Sequence, residues 1–329
     1  MQRTRIRGVR AALAGAAVGV LGLTGCTLPD STAAVEVEGT LIEPAEVNIA
    51  VITHAAPGDQ FWDFVRSGVD QATDDLGIQV SYNNSPDPGD QSTLIDNAIA
   101  QGANGIVVSM ANPAALRSSV RKAVSAGIPV VSINSGIDDW KEFGAFTHIG
   151  QSESIAGAAA GEQLTKDGLT NVVCVIQEPG NIALEERCES AAKSFKGRMS
   201  NLQVDGTDTT GVTSSITSRL RADTQVDGVL TLGGQISALA VQAVGAAGSK
   251  AKVATFDVDQ SVLRRVQSGD ISFAIDQQPF AQGYEGVSAV YLQLTRGVTL
   301  GGGQPVYTGP TIIDKENAKT SLASLNGAS

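Results

Sequence analysis

Histidine, cysteine and aromatic side chains are scarce in this chain. Its 329 residues include two histidines (His54 and His148) and three cysteines, and aromatics make up 4%. Two histidines leave little material for a zinc site or a His-based triad. The C-x-x-C, H-E-x-x-H, G-x-S-x-G and G-x-x-x-x-G-K-[ST] signatures are missing, as is a G-x-G-x-x-G fingerprint, so neither catalysis nor a cofactor is expected. Positive charge is also short, with 23 Lys and Arg against 34 Asp and Glu, net −11. Outside the first ten residues there is no basic stripe, which argues against a nucleic-acid partner. The 42% of apolar residues is too much for a disordered chain. The length suggests two domains of ordinary size.

Residues 1–10 carry Arg3, Arg5, Arg7 and Arg10 and no acid, and an apolar run from Ala11 to Leu23 follows. That run falls short of the ~20 residues that span a bilayer. A basic segment followed by a short apolar one has the form of a secretory signal. It ends Leu23-Thr24-Gly25-Cys26, which resembles the bacterial lipobox, whose cysteine is lipidated and becomes the new N-terminus. Residues 1–25 therefore read as a lipoprotein signal peptide and 26–44 as a flexible tether. The protein is expected outside the cytoplasm, held to the cell membrane by lipid on Cys26. Loss of 1–25 removes four arginines and leaves 19 basic against 34 acidic side chains, net −15.

From Val47 onward one unit recurs: a β-branched run, a loop, a helical stretch, a glycine, then the next run. The joints read DDLGIQV, AIAQGANGIVVSM, AVSAGIPVVSI, TKDGLTNVVCVI, GAAGSKAKVATF and VQSGDISFAI. Glycine just past a helix takes the left-handed conformation that other residues resist. The continuously apolar runs suit parallel strands covered by helices on both faces. The fold class is α/β, with two doubly wound parallel-sheet domains, since one sheet of so many strands would be unusually wide. A break is expected around Gly136–Gly150. The stretch VYTGPTIIDKENA is read as lacking a following helix and as a crossing between domains.

In open α/β sheets ligands bind beyond the carboxyl ends of the strands. That rule selects His54 to Trp62, Asn134 and Ser135, Gln177 to Arg187, Gly233 to Gln235, Asp257, and Asp276 to Gln278. Phe61 and Trp62 offer flat faces, although Phe61 also fits the apolar stripe of its helix and Trp62 lies at the stripe's edge. Asp59, Asn134, Asp257 and Gln277 offer fixed donors and acceptors for hydroxyl groups. Each lone Asp or Asn could equally be a helix cap, and Asp259 is better placed than Asp257 for that role. Arg187 offers a rigid fork of donors. His54 is read as a loop histidine. Cys174 and Cys188 are an even pair in an oxidising compartment, on a consecutive strand and helix. They are read as a disulfide, with two buried thiols as the alternative.

The order of these segments (Asp59-x-Phe61-Trp62, GVDQATDDLG, GIVVSMANPAAL, AGIPVVSIN, ERCESAAKSF, KVATFDVD, AIDQQPFAQG) resembles the periplasmic sugar-binding proteins of bacterial ATP-binding-cassette importers, the ribose-binding-protein-like type I class. The resemblance implies two lobes joined by three crossings, one of 45–150 plus 278–305 and the other of 151–277 plus 306–329. It also implies a monomer that captures a small neutral sugar or sugar alcohol in the cleft and delivers it to a membrane ABC permease, with no metal and no reaction. Phe61 and Trp62 match ring-stacking aromatics, and Asp257 and Gln277 match later polar contacts. Asp59 stands where the family often has Asn, Asn134 where it has Asp, and Ser135 where ribose binders have Arg. Gly233-Gly234 replaces Asn-Asp, and Glu185 replaces another arginine, leaving Arg187 nearby. These departures point away from ribose. The alternative is a ligand sensor of the same fold, autoinducer-2-like or coupled to a chemoreceptor.

Overall fold

The computed structural model describes residues 41–327. The expected signal segment, Cys26 and the expected tether up to residue 40 lie outside the described residues. The tether's expected end at 44 is too late, since Ile42 already donates its N–H to the Leu294 carbonyl at 3.1 Å and packs on the first lobe's core. Strands and helices alternate through β1 (Asn48–Thr53), α1 (Gln60–Leu76), β2 (Gln79–Asn84), α2 (Pro88–Ala100), β3 (Gly105–Ser109), α3 (Pro113–Ser125), β4 (Val130–Ile133), the short α4 (Trp140–Phe143) and β5 (Thr147–Gly150). The alternation resumes with α5 (Glu153–Lys166), β6 (Asn171–Ile176), α6 (Ile182–Ser194), β7 (Arg198–Gln203), α7 (Thr209–Ala222), β8 (Gly228–Thr231), α8 (Gly234–Ala247), β9 (Lys252–Phe256), α9 (Gln260–Ser268) and β10 (Ala274–Asp276). The chain then returns through α10 (Pro279–Arg296), β11 (Val306–Tyr307), β12 (Thr311–Ile313) and α11 (Ala318–Gly327).

The strands form two six-stranded sheets, ordered β11-β5-β4-β3-β1-β2 and β12-β10-β9-β8-β6-β7. The two orders correspond position for position, so each lobe is one doubly wound unit. All pairings are parallel except β10 with β12. Central strands such as β3 and β6 are buried along their whole length, because helices cover both faces. Successive side chains point to opposite faces, so Ile49 and Val51 join one core while Ala50 and Ile52 join the other. The second lobe has the same pair of cores, one on each side of its sheet.

Glycine sets the closest helix contacts. A Cβ on Gly68 would overlap the Phe280 carbonyl oxygen, and one on Gly283 would overlap that of Val65, so α1 and α10 cross nearly backbone to backbone. Gly157 and Gly161 play the same part where α5 meets α6.

The chain passes between sheets three times: from β5 to α5, from β10 to α10, and from β11 to β12. The last passage revises the expected boundary. Val306 and Tyr307 pair with Ile149 and Gly150, so they belong to the first sheet, and the chain leaves it only after Thr308, whose N–H donates to the Gly150 carbonyl at 3.1 Å. The VYTGPTIIDKENA stretch is indeed a crossing, but a helix does follow it, since α11 starts at Ala318. The expected break at Gly136–Gly150 contains α4 and β5, and the crossing begins immediately after it. No helix among the described residues is long and apolar enough to cross a membrane.

Candidate functional site

A cavity of about 340 Å³ lies between the lobes at the carboxyl ends of the strands. Pockets of this size hold small ligands. Asp59, Phe61, Trp62, Asn134, Ser135, Arg187, Asp257 and Gln277 all line it. The lobes also touch at its mouth, where the N–H of Ile182 at the start of α6 donates to the Ala111 carbonyl after β3 at 3.2 Å.

Asp59 caps α1, accepting from the Phe61 N–H at 3.0 Å. Burial pushes its carboxyl up to about 6, with Glu178 and Asp63 adding to the rise against the Phe61 hydrogen bond. The aromatic pair follows at once, and the structure reverses the two burial expectations. Trp62 is 5% exposed and belongs to the core of the first lobe, whereas Phe61 is only half-buried. The rings meet edge to face at 5.1 Å, and His54 packs edgewise on Trp62 at 4.7 Å. His54 is held by Ser109 Oγ, which lies 2.7 Å from Nδ1 and 3.0 Å from the His54 N–H. Burial lowers the His54 pKa, which keeps the ring neutral near pH 7.

Asn134 and Asp257 occupy equivalent places, directly after β4 and β9. Both have left-handed backbones, with φ of 61° and 67°. Each N–H bonds to the neighbouring strand, Asn134 to the Ile149 carbonyl at 3.1 Å and Asp257 to the Ile275 carbonyl at 2.9 Å. Non-glycine residues in this region carry strain that concentrates at functional sites. Gln277 ties the two together. Its Oε1 accepts from Asn134 Nδ2 at 3.2 Å, and its Nε2 donates to Asp257 Oδ1 at 2.6 Å. Ser135 Oγ donates to Asn134 Oδ1 at 2.9 Å, and Gln282 Nε2 reaches Gln277 Oε1 at 3.2 Å. A chain of side chains thus runs from one lobe to the other through a hinge residue. Asp259, not Asp257, caps α9. Burial raises Asp257 to about 7, against the lowering effects of Arg187 and Gln277.

Arg187 is 2% exposed. Its Nε and Nη2 grip Glu153 at 2.5 and 2.7 Å, Nη1 donates to the Leu232 carbonyl at 3.4 Å, and the group lies 4.7 Å over the Phe256 ring. Burial works against its charge, but Glu153 outweighs burial and holds the pKa above its ordinary value. The fork expected to meet a ligand is therefore spent largely on a carboxylate of the same lobe. Of five N–H donors, two remain. Cys188, the next residue, is bonded to Cys174 with their Cα atoms 6.0 Å apart.

Gln177, Glu178, Asn181 and Gln235, within the segments that the strand-end rule selects but given no role in the sequence, also line the cavity. Asn181 caps α6 through the Ala183 N–H and donates to Glu178 Oε2 at 2.7 Å. Gln177 Oε1 is buried without a protein partner. Thr207, in the loop after β7, and Thr209, the first residue of α7, follow a strand with no continuous apolar run to announce it. Glu153 had no local signal at all.

Two lobes around a polar cavity with an aromatic wall define a protein built to hold a small ligand. Residues 49–297 match the periplasmic binding protein domain family, and the chain belongs to it. It is a sugar-binding protein of the ABC-transporter class, a capture component and not an enzyme. The chain is similar to a solved carbohydrate transporter from Acidothermus cellulolyticus 11B in complex with myo-inositol. The two are 43% identical with a TM-score of 0.83, covering 84% of this chain and 97% of that one. A solute-binding protein from Burkholderia graminis C4D1M in complex with D-arabinose shares the fold at 23% identity and a TM-score of 0.73, covering 84% of this chain and 98% of that one. The xylose/arabinose-binding protein XylF of Sulfolobus acidocaldarius is 27% identical over 62% of this chain. That match spans 56% of XylF, so the chain accounts for little more than half of that relative's length.

Proposed function

We propose that the protein captures one cyclic polyol or monosaccharide in the cavity between its lobes and presents it, lobes closed, to a membrane permease. Asp59, Asn134, Ser135, Arg187, Asp257 and Gln277 supply hydrogen bonds to its hydroxyl groups, and Phe61 and Trp62 cover its C–H face. Lipid on Cys26 holds the protein at the membrane, and it works as a monomer. Lobe one is residues 42–150 with 278–307, and lobe two is 151–277 with the chain from 311 onward. The observation that carries the reading is the bridge Asn134–Gln277–Asp257, which sets polar groups of both lobes around one enclosed space. The myo-inositol complex of the Acidothermus cellulolyticus protein puts cyclitols first in the ligand panel.

The test is a thermal-shift and calorimetric screen of inositols, hexoses, pentoses and linear polyols. A true ligand binds one per chain and stabilises by RT ln(1 + [L]/Kd), about 2.7 kcal/mol at a hundred times Kd. The chain has two tryptophans, Trp62 and Trp140, and only Trp62 lines the cavity, so its fluorescence should report closure. Absence of saturable binding across the panel would overturn the reading. For the anchor, loss of lipid labelling in Cys26→Ala is the expected result, and unchanged labelling would refute it.

A further inference from the structure

The charges around the cavity do not balance. Among the described residues that line it, the carboxylates are Asp59, Glu178 and Asp257, and Arg187 is the one cation. That cation is already neutralised, since Glu153, itself 2% exposed, takes two of its N–H groups. His54 lines the wall as a neutral ring. The cavity is thus bordered by three acids whose only local positive charge belongs to a fourth.

None of the three forms an ion pair among the described residues, and Arg187 acts on Asp257 and Glu178 only from beyond its contact with Glu153. Asp59 receives a backbone N–H, Asp257 an amide N–H from Gln277, and Glu178 an amide N–H from Asn181. Asp59 and Asp257 sit on opposite lobes and line the same space, where Asp59 makes Asp257 harder to ionise. Gln177 adds a buried oxygen acceptor with no partner in the protein. Carboxylates outnumber cations around this space, which is the environment a protonated amine needs and a ligand carboxylate or phosphate cannot enter without a counter-charge.

We propose that this cavity accepts amino-substituted sugars or cyclitols, with the ligand ammonium held between Asp59 and Asp257, and that it rejects acidic sugars. The inference rests on the reading of the cavity as a sugar or polyol site and narrows its ligand class. The ammonium supplies the positive charge that Arg187 cannot, and the hydroxyl groups use the amide and backbone donors that remain.

The experiment is calorimetry on the purified full-length protein with matched sets: myo-inositol, an amino-deoxy inositol and an inositol phosphate, and likewise D-glucose, D-glucosamine and D-glucuronate. Charge-assisted hydrogen bonds favour the amine by about tenfold in Kd over its neutral partner in at least one set, with no detectable binding of the acids. Asp257→Asn and Asp59→Asn, which keep the side-chain shape, then weaken the amine more than its neutral partner, so that the amine-to-neutral ratio falls towards one. Neutral compounds binding as tightly as their amines, or acids binding at all, would overturn the inference and leave the sugar-site reading intact. A ratio unchanged in both variants would overturn it too. Failure of every neutral and amino compound would instead remove the sugar-site reading on which it stands.

Discussion

The buried pair Arg187–Glu153 is the most exposed point of this account to experiment. Both side chains are almost without solvent, at 3% and 2% exposure, and the geometry is bidentate. Glu153→Gln keeps the shape and one acceptor but leaves the guanidinium with only the less direct charges of Asp257 and Glu178 in a desolvated site. Breaking one partner of such a pair costs about 3–5 kcal/mol. Arg187→Met strands the opposite charge, with only the Gln151 amide at 3.0 Å to satisfy it, and should cost as much. Removing both, as Glu153→Leu with Arg187→Met, exchanges an ion pair for apolar contact and is expected to be neutral or stabilising by roughly 1–4 kcal/mol. The double-mutant cycle therefore predicts a large coupling, with the double variant more stable than either single one. Urea unfolding followed by circular dichroism measures it, with lowered midpoints at unchanged m in the single variants. Both residues lie in the second lobe, so the loss falls on that lobe's transition. A Glu153→Gln penalty under about 1 kcal/mol would refute the reasoning, because the pair would then be solvated and Arg187 free to serve a ligand's negative charge.

Three further outcomes follow from the same geometry. Trp62→Ala should lose about 3–5 kcal/mol of stability along with ligand affinity, because the ring is core; Phe61→Ala should lose affinity while staying folded, and chemical denaturation beside calorimetry separates the two. Replacing Cys174 and Cys188 together by serine opens a loop with a sequence separation of 14 and should lower stability by about 3 kcal/mol, read as a fall in urea midpoint equal to that of reducing the parent protein. The free protein's pH dependence should show Asp257, raised from 3.8 to about 7. An acid whose folded pKa lies above its unfolded one keeps its proton longer in the fold, so stability falls as pH rises through that window, by about 1.4 kcal/mol per unit. The buried histidines run the other way: His148, pushed down to about 3, and His54, also lowered, cost stability as pH falls below 6.5. Asp59, raised to about 6, adds to the fall with rising pH, so two acids oppose two histidines and the parent curve is flattened between about pH 4 and 6.5, while the Asp257→Asn minus parent difference isolates the one acid. It should become steadily more favourable to the variant from pH 4 to 7, and a flat difference would contradict the buried-carboxylate account.

How far such a site can be read from sequence depends on where each residue's partner lies. The central strands announce themselves because burial on both faces forces unbroken runs such as NVVCVI, and each run's carboxyl end then marks a wall of the cavity. Edge strands β2 and β7 escape that logic. With one side open to water, QVSYNN and RMSNLQ tolerate polar residues, so Thr207 and Thr209, which depend on recognising β7, go unseen. Asn134 and Asp257 are legible as strand-end polar residues, but their left-handed backbones come from bonding to β5 and β10 and have no local cue. Glu153 is the extreme case. Locally it is an acid in the first turn of a helix, an ordinary complement to the helix dipole. Its contact with Arg187, 34 positions away, exists only because Gly157 and Gly161 let α5 approach α6 closely. The strand-end rule therefore recovers which groups line the cavity. It cannot recover which charges are already neutralised, and that second property decides whether the cavity suits a neutral, an acidic or a basic guest.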